Sequence, residues 1–130
     1  MTMLENMYDL NLTGVETKPD WAPDTVGLQK STYVEGQRLA IIAFSEDDEY
    51  GFVENYADLT VNLIGNPEVV DYPLTDWSNT AWVRDSVKYL LDACVRDGIA
   101  EIVGTTRFGI GCELAHLVKF DVEKIPDIDA

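Results

Sequence analysis

Histidine occurs once in this chain, at His116, and cysteine twice, at Cys94 and Cys112. One imidazole and no closely paired cysteines leave a zinc site without its nitrogen and sulfur donors. Two cysteines 18 positions apart do not describe a disulfide framework either, so both thiols are expected free and reduced, as in a cytoplasmic protein. Basic residues are scarce: nine Lys and Arg stand against 24 Asp and Glu, giving a net charge of -15 and a pI ≈ 4.1. A chain of that sign repels phosphate, and no basic stripe offsets it, which argues against direct nucleic-acid binding. Long apolar runs are missing. The longest, Leu39-Ala-Ile-Ile-Ala-Phe44, is far short of the ~20 residues a membrane helix needs. The first residues, Met1 to Asp9, carry neither a basic stretch nor an apolar one, so no secretory signal is expected.

Catalytic motifs are equally thin. The chain has no Gly-Lys-Ser/Thr phosphate loop and no Gly-x-Ser-x-Gly elbow. Gly109-Ile-Gly-Cys-Glu-Leu114 begins like a dinucleotide fingerprint, but it lacks the third glycine and leads into an alternating strand instead of a helix. Glu46-Asp-Asp-Glu49 offers hard oxygen donors, yet without the alternating ligand spacing and bend glycine of a calcium loop; a solvated acidic loop is the plainer reading. His116 lies in the run Glu113-Leu-Ala-His-Leu-Val118, where a general base would need an orienting partner and a cleft, and the sequence places neither. Neither catalysis nor a cofactor is expected.

What the sequence does contain is enough for one globular domain. Hydrophobic residues make up 46% and aromatics 10% of 130 residues, ordinary values for a packed chain. At this length roughly two-thirds of the unfolded chain's surface can be buried.

Residues 1–30 read as an extended arm, because Lys18-Pro-Asp-Trp-Ala-Pro23 biases the chain away from helix, with Trp21 docking on the body. Residues 31–121 read as the folded domain. Ser31–Val34 and Gln37–Phe44 read as strands, the second apolar enough to be central. Ser45–Gly51 reads as an acidic loop, and Tyr56–Ile64 as a half-buried strand with Leu59, Val61 and Leu63 on one side. Residues 80–97 read as a helix: Val83, Val87, Leu90, Leu91 and Cys94 share a stripe, while Arg84, Lys88, Asp92 and Arg96 recur every fourth residue opposite. Ser78, Asn79 or Thr80 would cap its start, and Gly98 suits the left-handed position after its end. Ala100–Phe108 and Cys112–Phe120 read as a hairpin turning at Gly109-Ile-Gly111. Residues 122–130 read as a frayed acidic tail. The expected fold is α+β: a small two-layer domain, mainly antiparallel, in the order β-β-β-α-β-β, with one long helix over the sheet. The 31–34 strand, as an exposed edge, could pair with its counterpart in a dimer, so monomer and dimer both stay open.

The charge is not spread evenly. Residues 31–76 hold ten acids and only Arg38, whereas 77–119 hold five of each sign. Tyr50, Phe52 and Tyr56 flank the acidic loop, a mixture that suits core anchoring and also suits a protein-binding surface.

Three stretches, Arg38-Leu-Ala-Ile-Ile-Ala-Phe44, Tyr56-Ala-Asp-Leu-Thr-Val-Asn-Leu63 and Gly109-Ile-Gly-Cys-Glu-Leu-Ala-His-Leu-Val-Lys-Phe120, resemble a family of small uncharacterised proteins, a domain of unknown function. The family is carried on plasmids, phages and other mobile elements of gut-type Gram-positive bacteria. The resemblance covers roughly residues 33–121 and is most specific at Leu59-Thr-Val-Asn-Leu63. The asparagine-rich stretch common in that family before its helix is only partly matched, by Asp76-Trp-Ser-Asn79. No catalytic residues are known for the family, so none carry over.

The resemblance implies a mobile-element setting, in which small acidic proteins often disarm host nucleases of the CRISPR and restriction kinds. The expected function is therefore a non-enzymatic inhibitor of the DNA-mimic kind, whose carboxylates occupy the basic groove of a defence nuclease complex. The expected binding residues are Glu46, Asp47, Asp48, Glu49, Glu54, Asp58, Glu68, Asp71 and Asp76. The partner is a protein; nucleic acid, membrane and metal are not expected. The alternative is a mobile-element accessory, a protein- or small-ligand-binding module using a surface around Trp77, Trp82 and His116, with the acids serving only solubility.

Overall fold

A computed structural model of the chain describes residues 6–46, 49–64 and 75–128. The fold is α+β, with antiparallel sheets and one helix. A four-stranded sheet runs in the order β1 (Tyr8–Asn11), β2 (Thr25–Thr32), β3 (Leu39–Glu46), β4 (Val53–Asp58). A three-stranded sheet has β7 (Glu113–Phe120) between β5 (Thr80–Arg84) and β6 (Ala100–Phe108). Between β5 and β6 lie a 3₁₀ turn, Asp85–Val87, and the helix α1 (Lys88–Arg96).

The main core fills the space these elements share. Leu10, Leu12, Val26, Leu28, Ile41 and Ala43 from the larger sheet meet Leu90, Leu91 and Cys94 of α1 and Val83, Val118 and Phe120 of the smaller one. A second cluster, Leu63, Trp82, Phe108, Ala115 and Leu117, packs on the other face of the smaller sheet. The period-2 alternation of β5 explains the split: Ala81 and Val83 point to the main core, Trp82 to the second.

Several sequence expectations move. Residues 6–30 hold β1 and most of β2, and Leu10, Leu12, Val26 and Leu28 are fully buried, so this described part of the expected arm belongs to the domain, and residues 1–5 lie outside the described residues. Trp21 does meet the body, its ring 6.2 Å from that of Tyr89 at an interplanar angle of 82°. The strand expected at 56–64 lies at 53–58. Beyond it the chain crosses to the smaller sheet through a single bridge, Val61 to Trp82. The helix begins at Lys88, not 80, because Thr80–Arg84 pairs along β7 from Lys119 to Ala115. Neither turn at its start has a side-chain cap. Its C-terminal end is as expected, with Gly98 at φ 77 and Lys88 bound to Asp92 at 2.8 Å. The β6–β7 hairpin is where the alternation put it.

The tail is docked. Ile125 is fully buried, and Lys30 of β2 donates its backbone N–H to Pro126 O at 2.8 Å and accepts from Ile128 N at 2.9 Å. This contact lies beside Ser31 and Thr32, which pair with β3 on their other side. At Lys30, then, the free side of β2 is met by the chain's own C-terminal segment.

Candidate functional site

Seven of the basic side chains are engaged with carboxylates, backbone carbonyls or a ring. Lys18 pairs with Asp24 at 3.7 Å, and Lys124 with Asp121 at 3.6 Å. Lys30 donates to Val122 O and Ile125 O at 2.9 and 2.6 Å, anchoring the tail. Arg38 lies over the Trp77 ring at 3.8 Å. Arg84 pairs with Glu113 at 3.8 Å, Arg96 donates to Thr13 O and Asn11 O, and Arg107 donates to Cys112 O at 3.1 Å. Two of them lie near the acids of the larger sheet: Lys18 lines a cleft with Glu46, and Arg84 lines another with Asp58.

That end is the β3–β4 hairpin. Glu46 closes β3 and pairs in register with Val53, and Ser45 pairs with Glu54. Glu49 lies exposed in the connecting turn. Asp58 sits at the far end of β4, opposite Ile42. Among the described residues no Lys or Arg lies within ion-pair distance of Glu46, Glu54 or Asp58. Asp76 is further along: Trp77 O accepts from Leu39 N at 2.9 Å, which places Asp76 by the start of β3. At a strand rise of about 3.4 Å per residue, the carboxylates from Asp76 past Asp58 to Glu46 are strung along ~24 Å.

The five positions differ in freedom. Asp76 Oδ1 accepts from Ser78 N at 3.0 Å and Ser78 Oγ at 2.5 Å, and these hydrogen bonds hold its carboxyl below the usual range. It shapes the turn before β5 and is committed to that task. Alternation along β3 sends Glu46 and Asp58 to the outer face of the sheet, whereas Glu54, opposite Ser45, projects from the other face. Asp47, Asp48, Glu68 and Asp71 lie outside the described residues.

Beside the hairpin end is a cleft of about 660 Å³ lined by the 18–25 loop, Ser45, Glu46 and Tyr56. It contains Trp21, whose indole is 75% exposed. Sequence reading gave Trp21 a docking role and passed over this cleft, because the loop and the end of β3 are joined only by the β2–β3 pairing. The alternation of Val26 and Leu28 was the available signal.

His116 has an orienting partner that spacing could not show. Its Nε2 is 2.9 Å from Asp85 Oδ1, 31 residues away in sequence. The ring is buried, and Nδ1 has no hydrogen-bond partner among the described residues. His116 pairs with Val83 and so faces the main core, while Trp82 is buried on the opposite face of the same sheet. Trp77, Trp82 and His116 therefore do not form a common surface, which removes the face the accessory reading relied on. Among the described residues, no group of three or more His, Cys, Asp and Glu could hold a metal ion, and no helix is long and apolar enough to cross a membrane.

No protein-family model matches the chain, and no curated protein or solved structure does either.

Proposed function

We propose that this protein is a non-enzymatic inhibitor that docks its acidic β3–β4 edge into the basic, nucleic-acid-binding groove of a host defence complex, acting in the cytoplasm. One observation carries the reading: Glu46, Glu54 and Asp58 have no Lys or Arg at ion-pair distance among the described residues, and Lys18, which lines a cleft with Glu46, and Arg84, which lines another with Asp58, pair instead with Asp24 and Glu113. A solubility role needs only charge, interspersed in sign. Glu46 and Asp58, on one face of the paired strands and about 14 Å apart at a rise of 3.4 Å per residue, instead present negative groups at fixed spacing, a separation of about four phosphates along one DNA strand at 3.4 Å each. Binding of this kind is steered electrostatically and weakens as salt rises.

The mobile-element setting suggested by the sequence resemblance belongs to the same proposal. The test is expression in bacteria with active CRISPR or restriction systems, followed by transformation with a targeted and an untargeted plasmid. Selective recovery of the targeted plasmid is the expected result. Equal recovery with and without the protein across such systems refutes the proposal.

A further inference from the structure

We propose that the cleft beside the hairpin end receives an arginine side chain of the partner protein, stacked on Trp21 and bonded to Asp20, Asp24 and Glu46. This inference rests on the basic-groove reading and adds one specific contact to it.

Trp21 is the first reason. An indole three-quarters exposed leaves a large apolar surface in water. It is not loose, since it packs edge-to-face on Tyr89, which is itself buried and hydrogen-bonded to Tyr56 at 2.6 Å. The ring is thus supported from below and open above, at the wall of a concavity whose size falls within the range of side-chain and ligand pockets.

The lining charge selects the occupant. Asp20, Asp24 and Glu46 line the cleft, and Lys18 is the one basic residue among the lining residues. Lys18 is bound to Asp24 at 3.7 Å and only 16% of its side chain is exposed, so its charge is directed at that one carboxylate. Three carboxylates against one ammonium leave an excess of two negative charges around an aromatic face. A cation with a flat, weakly hydrated surface satisfies both features at once. Guanidinium does so: it stacks on aromatic rings and forks its N–H groups to carboxylates, whereas ammonium is a compact, strongly hydrated point charge. The molecule already makes one such stack, Arg38 over Trp77 at 3.8 Å.

The test uses the full chain with hexaarginine and hexalysine peptides as probes, their affinities measured by calorimetry at low ionic strength. The wild type is expected to bind hexaarginine at least fivefold more tightly than hexalysine. Trp21→Ala should reduce that preference below twofold and leave hexalysine affinity within twofold of wild type, while Trp21→Phe should keep part of the preference. Because Trp21 is largely exposed, the fold of each variant is checked by its circular dichroism. Equal binding of the two peptides by the wild type, or a preference unchanged in Trp21→Ala, overturns the cleft assignment and leaves the basic-groove reading standing. Binding of neither peptide overturns both.

Discussion

Tyr56 of β4 and Tyr89 of α1 meet hydroxyl to hydroxyl at 2.6 Å, joining the edge strand of the larger sheet to the helix. Burial and this contact together push the Tyr89 phenol above its ordinary range. The pair fixes the floor under Trp21, so the cleft's shape depends on it. Tyr56→Phe leaves the buried Tyr89 hydroxyl without this partner and should cost about 1–3 kcal/mol. The double variant with Tyr89→Phe should be less destabilised than the sum of the single changes, since no unpaired hydroxyl remains. Urea midpoints with unchanged slopes check both statements.

Leu10 tests whether the first thirty residues belong to the domain. It is fully buried in the main core, so Leu10→Ala should destabilise by about 2–5 kcal/mol. A docked arm would give almost no change in the same denaturation experiment.

The two thiols should differ in reactivity and in what they do to stability. Cys112 is exposed and Cys94 fully buried, so the folded protein should take up one equivalent of a thiol reagent, at Cys112, and a second only in denaturant. Burial, with a smaller contribution from Asp97, pushes the Cys94 thiol up to about 12 from 9.0. The unfolded chain therefore ionises first, so this contribution is intact below pH about 9 and is lost as pH rises toward 12, by about 1.4 kcal/mol per unit. Tyr8 acts in the same direction: burial, then its 2.8 Å hydrogen bond to Asp97, raises it from 10.0 to about 12. Stability measured from pH 8 to 11 should fall, and less steeply in Cys94→Ala.

Asp85→Ala deprives the His116 ring of its only hydrogen-bond partner among the described residues. The expected cost is about 1–3 kcal/mol in thermal or urea unfolding. Asp85→Asn, which keeps the accepting oxygen, should cost less.

The legible parts of this fold were those governed by local pattern. Ala100–Phe108 and Glu113–Phe120 alternate on either side of a glycine turn, and they form the hairpin that pattern implies. Thr80–Val87 was misread because Val83 and Val87 satisfy a helical stripe. What decides the state of Trp82 and Val83 is pairing with Leu117 and His116, more than thirty residues away. The prolines at 19 and 23 masked β1 and β2, although Leu10 and Leu12, then Val26 and Leu28, alternate as strands do. The acidic residues were legible as composition, but not as an arrangement. Glu46 and Asp58 come to one face of the sheet only through the β3–β4 register, which a bulge at Ala43/Phe44 shifts. Asp85 beside His116 carried no sequence signal at all.

The central claim is that the carboxylates of the β3–β4 edge perform the inhibition. Its most direct test is the targeted-plasmid transformation with the wild type and with Glu46→Lys/Glu54→Lys/Asp58→Lys, which changes the net charge by six and alters no buried residue. The account predicts that the wild type rescues the targeted plasmid and that the folded triple variant loses at least tenfold of that rescue. A folded triple variant that rescues as well as the wild type contradicts it.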